Sequence, residues 1–88
     1  MTQNNMMQNP ANPTADGLNA EKMCEIGMMY ALGRDCEIDL IAAHKWLNIA
    51  AVKGSARAAE LRGKLSEVLP KPQLAQALRE AREWMTLH

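Results

Sequence analysis

With 88 residues the chain has room for one small domain. Its composition is 48% hydrophobic but only 3% aromatic, with no Phe, so Ala, Leu and Met must fill the core; that favours helices over a sheet. Lys plus Arg and Asp plus Glu stand at ten each, for a formal net charge of zero. A neutral chain lacks the attraction that nucleic acid or an anionic bilayer would require, so neither is expected as a partner.

Residues 1–15 are rich in Asn, Gln, Pro and Thr and carry no periodicity, which predicts a disordered tail with Met6 and Met7 as its only apolar handle. The tail has neither a basic nor an apolar leader segment, and no apolar run approaches the roughly 18–20 residues that span a bilayer. Two cysteines, Cys24 and Cys36, fit a reducing compartment, so a cytoplasmic location is expected.

The first helix is predicted to open at Asp16 or Asn19, both good caps, and to run to about Leu32. Met23, Ile26, Met29 and Tyr30 form one apolar side, and Cys24, Met28 and Ala31 another. Gly27 in its middle costs about 1 kcal/mol against alanine, which a close crossing by the next helix would explain. Gly33 predicts a left-handed stop. Asp39 then caps a second helix that ends at Gly54, with stripes of Leu40, Ala43, Leu47, Ala50, Ala51 and of Ala42, Trp46, Ile49. Two apolar faces on one helix predict neighbours on both sides.

Ser55 caps a third helix, Ala56 to about Leu69, with Ala58, Leu61, Leu65, Val68 and Leu69 in period. Pro70 and Pro72 interrupt it, and Pro72 suits the first position of a fourth helix running to near Leu87. Leu74, Ala77, Leu78, Ala81, Trp84 and Met85 form its expected buried stripe. Short connections make these helices two antiparallel hairpins, an all-α fold. Gly27 has an echo in Gly63 about three dozen residues on, the period of helical-hairpin solenoids.

The first hairpin resembles the Sel-1-like repeat, a relative of the tetratricopeptide repeat. The resemblance rests on Ile26-Gly27, Tyr30, Gly33, Asp39, Ala43, Trp46, Ala50-Ala51 and Gly54, in register without a gap. It divides the chain into a tail at 1–15, a repeat at 16–54, and a degenerate second repeat at 55–88 that caps the first. Against the family pattern Asp35 replaces a loop glycine, a position open to Asp because it tolerates positive φ. Cys36 replaces a valine packed under the loop, which implies a buried thiol. Ala42 and Ile49 replace lysines, which implies a more completely covered middle helix. In the second hairpin Arg62 and Ser66 stand where apolar and aromatic residues are expected. The resemblance implies a non-catalytic adaptor, of a kind frequent in bacterial assemblies, that presents a concave surface to another protein. Two repeats fall short of the three that a free-standing solenoid needs, so self-stacking into a homo-oligomer is one alternative.

Asp35, Glu37 and Asp39 begin like a calcium loop, but Leu40 and Trp46 stand where that loop needs glycine and glutamate. Cys24, Cys36, His44 and His88 lack the spacing that places two ligands within a turn of each other. A thiol or metal sensor built on Cys24 and Cys36 is the other alternative. Arg34, His44, Lys45 and Asn48 are the candidates for a polar, partly exposed binding rim. Trp46 is expected in the core, and Trp84 on a docking or dimer surface with Met85 and Leu87. Glu80 and Glu83, interleaved with Arg79 and Arg82, read as a solvated ion-pair face. No nucleophile, base and carboxylate converge, and no phosphate loop is present, so neither catalysis nor a cofactor is expected.

Overall fold

The computed structural model describes residues 18–88, which form four helices: α1 (Ala20–Leu32), α2 (Leu40–Val52), α3 (Ala56–Val68) and α4 (Lys71–Leu87). The predicted tail at 1–15 and the alternative cap Asp16 lie outside these residues. The starts of the first three helices are fixed in one way. Asn19 Oδ1 accepts from the Lys22 amide at 2.9 Å, Asp39 Oδ1 from Ala42 at 3.0 Å, and Ser55 Oγ from Ala58 at 3.1 Å. Each bond satisfies a first-turn donor that has no partner inside its helix. Asp39→Ala is expected to cost about 1 kcal/mol, read as a lower urea midpoint, whereas Asp39→Asn keeps the acceptor and costs less. Equal losses in the two variants would contradict this account of the cap.

α1 ends where the sequence predicts. Gly33 adopts φ 71°, the cap amide bonds back to the Met29 carbonyl, and Asp35 follows at φ 60°. The second helix stops at Val52, with Gly54 beyond it at φ 118°. α4 starts at Lys71, so Pro72 occupies its second position rather than its first. Proline there costs no hydrogen bond, because the donor it lacks would have no helical partner.

The fold is all-α with α2 in the middle, where α1, α3 and α4 each pack on it. Its buried positions are Ala43, His44, Leu47, Ile49 and Ala50. Around them Met23 and Cys24 of α1, Ala58 of α3 and Ala81 of α4 complete the buried cluster. Ala77 of α4 is buried as well. Small residues supply much of this core, so backbones approach closely in place of large side chains interlocking.

Gly27 is where this approach is tightest. A Cβ on it would sit 2.8 Å from Leu47 Cγ and 3.2 Å from the Ala43 carbonyl oxygen, so the crossing helix does fill that space. Gly63 has no such neighbour; a Cβ there meets nothing within 4 Å. The echo in sequence is therefore not an echo in packing.

Ile49 is fully buried, in line with the replacement of a polar position on α2. Two expected core residues lie outside instead: Val68 is 67% exposed and Leu78 41%. Both sit on the side of their helix turned from α2, while Leu69, just past α3, is buried in Val68's stead. Trp46 is half-buried at the margin of the core, because Ala50 and Ile49 already occupy the interior beside it.

Candidate functional site

An apolar groove of about 170 Å³ lies between α1 and α3. Met28, Ala31 and Leu32 supply one wall, and Leu61, Lys64 and Leu65 the other. Each wall uses the i, i+3, i+4 spacing that brings side chains to one helical face. Leu47 of α2 is the floor. Among the described residues Lys64 is the only charged one lining the groove. Arg57, two turns before Lys64 on α3, reaches across so that its guanidinium meets Met28 Sδ at 2.9 Å. Leu32, at the open end, is 59% exposed. The apolar second face of α1 signals this groove in the sequence: α2 covers one side of that helix, and Met28 and Ala31 lie on the other.

The five residues singled out from sequence do not gather at one place. Arg34 is exposed in the loop after α1. Lys45 is half-buried, with its ammonium 5.1 Å from the Trp46 ring centroid. Trp84 is half-buried, set edge-on to Trp46 at 5.4 Å between centroids and stacked on His88 at 4.3 Å. Leu87 beside it is 80% exposed.

His44 is the clear correction. Far from a partly exposed rim position, it is 1% exposed and faces α3. Its Nε2 lies 2.8 Å from Ser66 Oγ. One turn along, Asn48 Oδ1 accepts from Arg62 Nη1 at 2.8 Å. Two polar residues of α2, His44 and Asn48, are thus engaged by Ser66 and Arg62 of α3. The sequence carried a signal for this: polar residues four apart on α2, at 44 and 48, match polar residues four apart on α3, at 62 and 66. Burial, and after it the Arg62 guanidinium, push the His44 pKa below the ordinary histidine value.

Cys24 is fully buried, and Cys36 is half-buried with its thiol 3.6 Å from the Met29 carbonyl oxygen; both are free. Full burial of Cys36 is not seen, because the loop leaves one side of it open. Among the described residues no three His, Cys, Asp or Glu side chains gather where they would hold a metal ion. Glu80 accepts from Gln76 at 2.8 Å. A wider hollow lies among Tyr30, Cys36, Asp39 and Gln73, but the Asp39 carboxylate that lines it is already committed to capping α2. No described helix is long and apolar enough to cross a membrane. Compared with protein-family models, with curated proteins and with solved structures, the chain matches none.

Proposed function

We propose that this protein is a non-catalytic, Sel-1-like helical module that binds another protein through the groove between α1 and α3. The observation that carries this is the groove itself: Met28, Leu32, Leu61 and Leu65 present apolar surface along two helices, with Lys64 at the lining and Arg57 beside it. An amphipathic segment with apolar residues at helical spacing and carboxylates on its flank is the occupant whose chemistry fits. Apolar contacts would supply affinity and the two cations orientation. Two free cysteines support a reducing, cytoplasmic setting, and the family resemblance a bacterial source.

Capture from the source cell, followed by titration of the purified partner, tests this. Leu32→Asp and Lys64→Glu change exposed side chains and leave the core intact; each is expected to weaken binding about tenfold or more, equal to about 1.4 kcal/mol. Glu83→Lys on α4 should bind as the wild type does. Wild-type affinity in both groove variants, or loss confined to the α4 variant, would reject the groove as the site. Capture of a second copy of this chain, with a melting temperature that climbs with concentration, would replace the heterologous partner with self-assembly.

A further inference from the structure

We infer that His44 is a proton-operated gate on the groove: protonation of its imidazole releases α3 from α2 and so removes one wall. Its use as a regulator of binding rests on the groove being the binding site; the opening step does not.

The geometry fixes which nitrogen carries the proton. Ser66 Oγ–H donates to the Arg62 carbonyl at 2.9 Å. A hydroxyl has one proton to give, so in the 2.8 Å contact Ser66 must accept and His44 Nε2–H must donate. Nδ1 then bears the lone pair, and it is buried with no hydrogen-bond partner among the described residues. A proton added there creates a buried N–H with no acceptor and a positive charge in low dielectric.

The surrounding charges oppose that proton as well. From α3 the Arg62 guanidinium acts on the ring, and among the described residues no titratable group of α1 or α4 is found to offset it. Arg62 is itself held by Asn48 at 2.8 Å, so it cannot swing away without breaking that bond. The cost of the proton therefore falls on the contact between the two helices.

α3 is poorly placed to absorb such a cost. Ala58 is its single buried residue, and Leu61 and Leu65 are only half-buried. Beside the packing of Ala58, Leu61 and Leu65, the two polar bonds join α3 to α2. Leu61 and Leu65 adjoin Arg62 and Ser66 in sequence and line the groove, so movement of α3 carries the wall with it.

With His44 held below its ordinary value in the closed form, the opened form binds more protons once the pH falls below about 6.5. Closure is thus at full strength above that pH and is lost as pH drops toward the folded value, by about tenfold per pH unit. Amide hydrogen exchange read by NMR between pH 7.5 and 5.5, corrected for intrinsic exchange rates, measures it without any partner. Protection of α3 should fall by that factor, the Met28, Leu61 and Leu65 methyl signals should shift over the same range, and α1 should change less. His44→Gln retains a donor to Ser66 but cannot titrate, and should abolish the pH dependence. Arg62→Gln removes the charge and should narrow the pH range of the response; it serves if His44→Gln does not fold. Protection of α3 that ignores pH, or an unchanged pH response in the folded variants, would overturn the gate. A gate that operates in a protein whose groove variants bind normally would leave the gate standing and remove the groove as the binding site.

Discussion

Replacing Gly27 with alanine is expected to destabilise the protein by up to about 2 kcal/mol, whereas Gly63→Ala should stabilise it by up to about 1 kcal/mol. The same chemical change meets two different surroundings. In both helices alanine gains about 1 kcal/mol of intrinsic propensity. At Gly63 nothing opposes the gain, since no atom lies within 4 Å of the added methyl. At Gly27 the methyl meets Leu47 Cγ at 2.8 Å, with the Ala43 carbonyl oxygen behind it at 3.2 Å. Leu47 is 1% exposed and can shift only toward the groove it floors, while the Ala43 carbonyl oxygen is backbone and yields only if α1 and α2 move apart. Overpacking of that kind costs about 1–3 kcal/mol and outweighs the propensity gain. Urea midpoints of the two variants decide the matter; a gain of stability in both would show that the crossing yields easily.

Leu47→Ala carries the largest expected single loss, about 2–5 kcal/mol. Leu47 packs in the buried cluster, fills the space over Gly27 and floors the groove, all at once. Its removal leaves a cavity that stiff helices close only in part, which adds to the lost transfer energy. In a domain this small such a loss is a large share of total stability. The measurement is chemical denaturation with an unchanged m-value. A loss below about 1 kcal/mol would mean that α2 is not the helix on which the others depend.

Much of this architecture was legible in the residues. The caps Asn19, Asp39 and Ser55, the left-handed stop at Gly33 and the positive φ at Asp35 were readable because each depends on chemistry within a few residues of itself. Gly27 was readable because a glycine that costs helix stability needs a reason, and the alanine-lined helix after it offered one. What escaped was the identity of the neighbour on each face. His44 and Asn48 on their own read as a polar edge; only the placement of Arg62 and Ser66 opposite them turns that edge inward. Val68 and Leu78 kept the apolar period of their helices but fell on faces that no helix covers. Periodicity tells which residues share a face, and the packing of other helices decides which face is buried.

The groove was half legible for the same reason. Met28 and Ala31 marked a second apolar face on α1, yet Leu61 and Leu65 looked like ordinary core positions of α3. Their pairing across a gap, with Leu47 beneath, belongs to the way both helices lean on α2.

A double-mutant cycle between Gly27 and Leu47 tests the close α1–α2 crossing most directly. Wild type, Gly27→Ala, Leu47→Ala and the combined variant are unfolded in urea under one set of conditions. With Leu47 shortened the added methyl has room, so Gly27→Ala should become neutral or stabilising, giving a coupling of about 1 kcal/mol or more. Strictly additive losses would contradict the crossing as the reason for glycine, and with it the packing on which the rest of the fold is built.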